Sequence, residues 1–234
     1  MEPHVIFRRD KGIPQLTLRD RSVLEWIGQQ YGVRLDTLTK LLGQHPGQSP
    51  NQPKTTGLLA ARNVYRIVRR WEIVGLATYQ KFWTDAPGWV WLTQTGLRER
   101  GLPYAFWSPR QGTDFEHLHT INEIRFRLEE RYGMLLNWQG ERFLKRDAGE
   151  LTPAERNKLH IPDAVIRVET MPIAVQVELT PKSNPRTEKI IRSLLDRYAG
   201  VWYFVNEITE PTVRKHSRSF PKIKVYKLSE VLPA

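Results

Sequence analysis

The chain of 234 residues contains no cysteine, which excludes disulfide bonds and thiolate metal sites. No apolar run approaches the roughly 20 residues needed to cross a bilayer. The opening residues, MEPHVIFRRDKG, lack an apolar stretch long enough for a signal peptide. No glycine-rich loop of the P-loop type is present, which argues against an ATPase. These absences favour a protein of a reducing, intracellular compartment over a membrane-spanning or nucleotide-hydrolysing one.

Positive charge, in contrast, is in excess. The chain has 36 Lys and Arg against 25 Asp and Glu, a formal net charge of +11. Such a balance predicts a polyanionic partner, with nucleic acid first and an anionic membrane surface second. The excess is uneven, because residues 1–112 hold 16 basic against 8 acidic side chains, while residues 113–234 hold 20 against 17. The first half is therefore the better candidate for binding phosphates.

The first half has the periodicity of three helices and a β-hairpin. Thr17, with Asp20 three residues later, predicts the start of the first helix, and residues 35–42 predict a second. A third helix is expected in KTTGLLAARNVYRIVRRWEIVGL, with an apolar stripe of Ala60, Val64, Ile67, Val68 and Trp71. Residues 76–83 and 89–93 alternate like strands around a turn. This order is typical of a winged helix-turn-helix domain.

The third helix also carries a basic row on a different face. Arg62, Arg66 and Arg69 recur at i, i+4 and i+7, with Arg70 beside them. Arginines aligned in this way offer forked donors to phosphates or guanine edges. The alternative is a solvated face, but such a face often carries acids at i±4, and this row has none. The residues predicted to bind DNA are Lys54, Thr55, Arg62, Arg66, Arg69, Arg70 and Lys81.

A domain boundary is predicted near residue 112. The segment GLPYAFWSPRQG, residues 101–112, contains helix-breaking prolines beside Tyr104, Phe106 and Trp107, whose rings need burial. We therefore expect two domains, 1–112 and 113–234, docked on each other. Thr113 and Glu116 have the spacing of a capping box and predict the start of the next helix.

The second half predicts an α/β domain. Strands are expected at residues 135–144, 161–169, 172–180, 201–205 and 222–228. A helix is expected to begin at Asn184, because Pro185 suits the first helical turn. The order of helix, three strands, helix and two strands resembles the core of the PD-(D/E)XK nucleases. The expected fold class is α+β, with an N-terminal winged helix-turn-helix domain and a C-terminal α/β restriction-endonuclease-like domain.

Two acids interrupt the segment IPDAVIRVETMPIAVQVELTPKS, residues 161–183, which otherwise alternates like sheet core. If Thr170 and Met171 form a two-residue turn, Asp163 lies opposite Glu178 on the next strand. Opposed carboxylates repel each other unless a cation lies between them, and a hard divalent ion such as Mg²⁺ or Mn²⁺ is the usual solution. The alternative is that both acids are solvated strand ends.

The nuclease resemblance implies that Asp163 and Glu178 are catalytic and metal-binding residues. The lysine that helps to activate water usually stands two residues after the acid, and Thr180 occupies that position here. Lys182 would have to reach back from the following loop. Glu141 on the first strand and Glu123 on the helix are candidates for a third carboxylate.

Across nearly its full length, the chain resembles the replication-relaxation family of bacterial plasmids and mobile elements. The resemblance rests on the order and spacing of LTLRDRSVLEWIGQQYG, GLATYQ, WVWLTQTGL, HLHTINEIRFRLE, WQGERFL, IPDAVIRV, IAVQVELTPKS and YAGVWYFV. It implies a cytoplasmic bacterial protein that binds double-stranded DNA in the replication, relaxation or transfer of such an element.

Three functions stay open at this point. One is a non-catalytic or regulatory protein that binds double-stranded DNA. Another is a metal-dependent DNA endonuclease or nickase that the winged helix targets. The third is a structural subunit with protein partners in a larger nucleoprotein assembly. A zinc site at His117 and His119 is not expected, because side chains at i and i+2 of a helix do not face each other.

Overall fold

A computed structural model describes residues 16–44, 58–150, 152 and 159–232. Over these ranges the chain is a mixed α+β protein with two sheets. Lys54 and Thr55, two of the residues predicted to bind DNA, lie outside the described residues. No helix in the described part of the chain is both long and apolar enough to cross a membrane.

Three helices open the described chain: α1 (Leu18–Gln29), α2 (Leu35–Gln44) and α3 (Ala61–Ile73). The Thr17 hydroxyl accepts a hydrogen bond from the Asp20 amide at 3.1 Å, and the Asp20 carboxylate accepts one from the Thr17 amide at 2.8 Å. This reciprocal cap sets the start of α1 where the sequence predicts it. Strand β1, Gly32–Arg34, lies between α1 and α2 and was not predicted, because three residues are too few to show an alternation.

A hairpin follows α3 and forms a three-stranded sheet with β1. Strand β2 spans Ala77–Gln80 and β3 spans Trp89–Leu92, both shorter than the predicted segments. The strands are antiparallel in the order β1–β3–β2. Strand β3 is therefore central, and all four of its residues are buried. The short helix α4, Gln94–Glu99, follows the sheet.

The core of the first half lies between this sheet and the apolar faces of α1, α2 and α3. On α3 the buried residues are Val64, Ile67, Val68 and Trp71, as predicted. Ala60 is exposed, and its inclusion in the stripe was wrong. It precedes the helix with a ψ of 132°, so its side chain departs from the helical period that defines the stripe.

The long helix α5, Phe115–Tyr132, begins the second half. Its N-cap is Asp114, whose carboxylate accepts a hydrogen bond from the His117 amide at 2.9 Å. The predicted capping box of Thr113 and Glu116 is therefore wrong, because the Asp114 carboxylate lies one residue closer to the free amides. The Thr113 hydroxyl instead accepts a hydrogen bond from the Arg110 amide at 2.9 Å.

The strand predicted for residues 135–144 is mostly absent. A 3₁₀ turn spans Gly133–Leu136, strand β4 is only Gln139–Gly140, and helix α6 spans Glu141–Ala148. A short apolar run does not separate strand from helix by itself, and the residues from 141 onwards are mostly strong helix formers. Glu141 therefore lies in the first turn of a helix and not on a strand.

The second sheet has five strands in the order β4–β5–β6–β7–β8. Strands β4, β5 and β6 pair antiparallel, whereas β6, β7 and β8 pair parallel. The longer strands are β5 (Ala164–Val168), β6 (Met171–Glu178), β7 (Gly200–Val205) and β8 (Ile223–Lys227). The helices are α7 (Asn184–Leu195), which starts at Asn184 as predicted, α8 (Glu210–Ser217) and α9 (Leu228–Val231).

Helices cover both faces of this sheet. Side chains of α5 pack on one face, and those of α7 and α8 pack on the other. Because successive strand residues point to opposite faces, Val175 and Val177 face α5. Ala174, Gln176 and Glu178 share the face that α7 covers.

Helix α5 also contacts the first half. Phe126 belongs to the core of the first half, whereas Ile121 and Ile124 belong to that of the second. The Asn122 side chain donates to the Gly32 carbonyl at 2.8 Å. One helix therefore contributes to both cores.

The connecting segment buries only part of its aromatic content. Tyr104 and Trp107 are half-buried, and Trp107 lies against Tyr31 with ring centroids 5.5 Å apart. Phe106 is 48% exposed. The expectation that all three rings are buried was wrong for Phe106, because only one side of this segment faces the protein.

Candidate functional site

Two groups of charged side chains are candidates, and the first is the basic row of α3. Arg62, Arg66 and Arg69 are exposed, while the opposite side of the helix is buried in the core. Arg69 lies 3.5 Å from the Glu72 carboxylate. Arg62 and Arg66 have no hydrogen-bond or ion-pair partner within the described ranges. The row therefore presents guanidinium groups to solvent with most of their donors free.

Arg70 differs from Arg62 and Arg66 because it is paired with a buried acid. Its Nη2 atom donates to the Asp20 carboxylate at 2.5 Å, and Asp20 is fully buried. The Trp71 indole also donates to Asp20, at 3.2 Å. Arg70 thus ties α3 to the start of α1 and compensates a buried charge, while about 30% of its side chain stays exposed.

The hairpin ends against the second half. The Lys81 ammonium donates to the Thr84 carbonyl at 2.5 Å within the turn. The rings of Phe82 and Trp83 contact Phe115 at the start of α5, with centroids 4.8 and 5.1 Å apart. Lys81 therefore lies at the exposed end of the hairpin, and the neighbouring aromatic rings hold that end against α5.

The second candidate is a polar cluster at the carboxyl end of β6. The register of β5 and β6 pairs Val168 with Met171 and Ala164 with Val175. Glu169 takes a φ of 58°, so the turn is Glu169–Thr170, one residue earlier than the sequence suggested. The pairing predicted between Asp163 and Glu178 was therefore wrong. Continued by one residue, the register brings Asp163 opposite Gln176.

Asp163 is enclosed by donors of the protein itself. Its carboxylate accepts hydrogen bonds from the Val177 amide at 2.6 Å and from the Gln176 side chain at 3.1 Å. The other carboxylate oxygen lies 3.0 Å from Nε2 of His117. Gln176 continues the chain of contacts, because its side-chain oxygen lies 3.1 Å from Nε2 of His160. Four side chains thus form one connected network.

His117 is the titratable member of this network that faces Asp163. Burial lowers the pKa of His117, but the hydrogen bond and negative charge of Asp163 outweigh burial, so the pKa is raised above its usual value. Asp114 and Glu141 add smaller contributions in the same direction. The protonated imidazolium is thereby favoured beside a buried carboxylate.

Glu178, the last residue of β6, is buried and paired with Lys182. Lys182 follows from the loop and reaches back to the carboxylate, which is the geometry that the sequence required of it. The Glu178 carbonyl accepts a hydrogen bond from the Thr209 hydroxyl at 2.6 Å. Glu178 and Lys182 are therefore brought together, and Asp163 immediately precedes the neighbouring strand β5.

Tyr203 completes the cluster from the neighbouring strand, where it pairs with Gln176. Its hydroxyl is shielded from solvent and has no hydrogen-bond partner among the described residues. Burial raises the pKa of Tyr203, and the charges of Glu178 and Asp163 add to the rise. A buried hydroxyl without a partner is uncommon in a folded protein.

The two other candidate carboxylates are engaged elsewhere. Glu123 accepts hydrogen bonds from the Thr37 hydroxyl at 2.7 Å and the Lys40 ammonium at 2.6 Å, both on α2. Glu141 accepts one from the Tyr31 hydroxyl at 2.8 Å and pairs with Lys145. Only its backbone joins the cluster, since the Glu141 amide donates to the Asp163 carbonyl at 2.9 Å. Neither side chain supplies a third carboxylate to Asp163 and Glu178.

Sequence reasoning missed four members of the cluster: His117, His160, Gln176 and Tyr203. His117 does not face His119 on the helix, and its partner in the structure is Asp163, 46 residues away. The alternation of VWYFV indicates that Tyr203 shares a face with Val201 and Val205. It does not indicate which neighbouring strand pairs with it.

A divalent ion does not fit the cluster as it is arranged. Mg²⁺ and Mn²⁺ bind through oxygen ligands of carboxylates, carbonyls and water. Both oxygens of Asp163 already accept hydrogen bonds, and Glu178 is paired with Lys182. Within the described ranges, no group of three or more His, Asp or Glu side chains is placed to hold a metal.

No family model matches the chain, and no curated protein or solved structure matches it.

Proposed function

We propose that this chain is a double-stranded DNA-binding protein that binds the duplex through α3 of its first half. The observation that carries the proposal is the pair Arg62 and Arg66, exposed and without protein partners on a helix whose opposite face is core. Exposed arginines that no acid neutralises favour an external polyanion over a solvated, self-compensated face.

The architecture around α3 supports this function. The order α1, β1, α2, α3, β2, β3 with the sheet order β1–β3–β2 resembles that of a winged helix, in which the third helix enters the major groove. With a rise of about 1.5 Å per residue, Arg62 and Arg69 lie about 10 Å apart along the helix axis. A major groove about 12 Å wide admits such a helix, with arginines reaching phosphates or guanine edges.

The wider role follows from the resemblance to the replication-relaxation family. On that basis, the bound DNA belongs to a plasmid or mobile element, and the protein acts in its replication, relaxation or transfer in the bacterial cytoplasm. Protein partners in a nucleoprotein complex are part of the same proposal. The second half then serves as a docking surface or a regulatory domain.

The direct test is a fluorescence-anisotropy titration of duplex DNA at several salt concentrations. The triple variant Arg62→Ala/Arg66→Ala/Arg69→Ala should bind far more weakly and with a smaller salt dependence than the wild type. The matched control is Arg186→Ala/Arg192→Ala/Arg197→Ala, which removes the same charge from exposed positions of the second half. Equal losses in both variants would reduce the effect to net charge and refute the role of α3.

The alternative is a metal-dependent DNA endonuclease or nickase, and the convergence of Glu178 and Lys182 beside Asp163 favours it. Against it, Gln176 and not an acid lies opposite Asp163, and an ion would have to displace His117 or Lys182. Supercoiled plasmid incubated with Mg²⁺ or Mn²⁺ tests this alternative. Under the main proposal the plasmid stays intact. Nicking by the wild type that Asp163→Ala abolishes would establish the alternative.

A melting experiment separates the two functions without relying on cleavage. If a divalent ion binds at Asp163 and Glu178, it stabilises the folded protein by mass action. Mg²⁺ or Mn²⁺ should then raise the melting temperature of the wild type but not of Asp163→Asn. Identical shifts in both proteins would leave no metal site at these residues.

A further inference from the structure

A solvent-open cavity of about 530 Å³ lies between α1 and α3. Its lining residues are Arg19 from α1 and Asn63, Arg66, Ile67 and Arg70 from α3. Three of these five side chains are guanidinium groups, and no lining residue is acidic. The Asp20 carboxylate beside Arg70 is fully buried, and the ion pair that it forms is with Arg70.

Two guanidinium N–H groups of the lining residues have no acceptor among the described residues. The Nε atoms of Arg19 and Arg70 are shielded from bulk solvent, and neither has a hydrogen-bond partner in the described structure. A buried N–H group without an acceptor is unfavourable, because it has lost its water and gained nothing in return. Arg66, the third guanidinium, also has no partner within the described ranges. The lining of the cavity thus has three guanidinium groups and no acid, and the guanidinium of Arg66 is exposed and, in the described part of the chain, unpaired.

Asp20 orients one of these guanidinium groups. It accepts from Nη2 of Arg70 at 2.5 Å and from the Trp71 indole at 3.2 Å, and it caps α1 through Thr17. Asp20 accepts both the Arg70 and the Trp71 hydrogen bonds, so it fixes the position of the Arg70 guanidinium beside the cavity. Asp20 is therefore a positioning residue for Arg70 and has no contact of its own with the cavity.

We propose that Arg19, Arg66 and Arg70 form a phosphate-binding site that joins α1 to the basic row of α3. A phosphate group has the negative charge and the several acceptor oxygens that converging guanidinium forks require. The phosphate comes from the backbone of duplex DNA or from a small phosphate-bearing molecule. Binding of the DNA backbone at this site rests on the proposed function. Binding of a small phosphate-bearing molecule does not, because the cavity exists whether or not α3 enters a DNA groove.

The site has a role separate from that of the remaining row. Arg62 and Arg69 do not line the cavity, so they are free to meet base edges or other phosphates. A phosphate held between α1 and α3 would set the register and orientation of α3 on the duplex without reading sequence. Arg19, which no sequence pattern singled out, then becomes a binding residue.

The first arm of the test uses inorganic phosphate. Melting temperatures are measured in sodium phosphate and in sodium chloride of equal ionic strength. The wild type should be stabilised by phosphate beyond the chloride level, and Arg19→Gln should lose that extra shift. Arg19→Lys, which keeps the charge but not the fork, should retain only part of it. Arg100→Gln is the matched control, because Nε of Arg100 also lacks a partner but Arg100 does not line the cavity.

The second arm uses duplex DNA of two unrelated sequences. Arg19→Gln should weaken binding by a similar factor on both and lower the salt-dependence slope by about one. Phosphate stabilisation that needs Arg19, without any effect on DNA, would support the site with a small phosphate-bearing ligand. An Arg19 effect on DNA alone would support the backbone as the source.

The two arms also separate this inference from the proposed function. If the α3 triple variant binds DNA normally while phosphate still stabilises the wild type through Arg19, the proposed function fails and the site stands. If Arg19→Gln matches the wild type and Arg100→Gln in both arms while circular dichroism shows intact folding, the phosphate site is overturned.

Discussion

On α3, Arg62 and Arg66 are exposed and have no partner in the described chain, whereas Asp163 and Glu178 at the second sheet are buried and held by donors of the protein itself. The guanidinium donors of Arg62 and Arg66 therefore remain available to an external ligand. The carboxylates of Asp163 and Glu178 are already bound by groups of the protein, and in their cluster the Tyr203 hydroxyl has no partner among the described residues. Charged residues of similar appearance in the sequence therefore differ in their availability to a ligand, according to whether the fold has already paired them.

The largest effect on stability is expected from removing the buried acid of the first half, Asp20, which is paired with Arg70. Asp20→Ala leaves Arg70 and the Trp71 indole without their acceptor and removes the carboxylate half of the reciprocal cap of α1. We expect a loss of about 3–5 kcal/mol in the free energy of unfolding, measured by urea denaturation. Asp85→Ala, at an exposed residue of the hairpin, is the control and should change stability little.

The next largest effect is expected on DNA binding, from removing one of the exposed arginines. Arg66→Ala should weaken duplex binding by about 1–3 kcal/mol if Arg66 contacts a base edge, and by less if it contacts only phosphate. Folding should be preserved, because alanine suits a helix surface. Anisotropy titrations with Arg192→Ala as the control decide the matter, and equal affinities for both variants would contradict the prediction.

A substitution at the buried acids should have an effect of similar size, but on the free energy of unfolding and not on DNA binding. Asp163→Asn removes the charge that the Val177 amide, Gln176 and His117 contact, so we expect a loss of about 1–3 kcal/mol in unfolding free energy. An opposed pair of acids would instead have made this substitution slightly stabilising. Chemical denaturation of Asp163→Asn beside Asp196→Asn, an exposed control, distinguishes the two signs.

The smallest expected effect is a pH dependence from His117. Its pKa is raised in the folded state, so its contribution to stability is fully present below the ordinary value of 6.5 and is lost as the pH rises through the folded pKa. His119 acts in the opposite direction, because burial lowers its pKa and folding then disfavours its protonation below pH 6.5.

The contribution of His117 is therefore the difference between the wild type and His117→Gln. The unfolding free energies of the wild type and of His117→Gln are measured from pH 5.5 to 8.5, a range of about three units around the ordinary pKa of histidine. The two values should converge as the pH rises. A constant difference across this range would mean that the proton on His117 has no linkage to folding.

Sequence reasoning succeeded for elements whose causes are local. The cap of α1 depends on Thr17 and Asp20, the buried stripe of α3 on a period of 3.6, and the start of α7 on Pro185. It failed for residues 135–144, where a short apolar run suited strand and helix equally. It also failed for the turn at Glu169, since a shift of one residue in the turn moves every later pairing by two.

The candidate sites divide in the same way. The basic row of α3 could be read from sequence, because the period of one helix places Arg62, Arg66 and Arg69 on its outer face. The polar cluster could be read only in part. Asp163, Glu178 and Lys182 were identified, but Glu123 and Glu141 proved to have partners in the first half.

Local features of the sequence are sufficient to predict the mixed α+β class, the starts of α1, α2 and α7, the hairpin of the first half and the exposed arginines, because caps, periodicity and prolines act over a few neighbouring residues. Which charges remain available depends on the tertiary fold. Asp20 meets Arg70 across 50 residues of chain, and Tyr31 meets Glu141 across 110. Such pairs form when packing brings distant segments together, and burial without water makes pairing the favourable state for each charge.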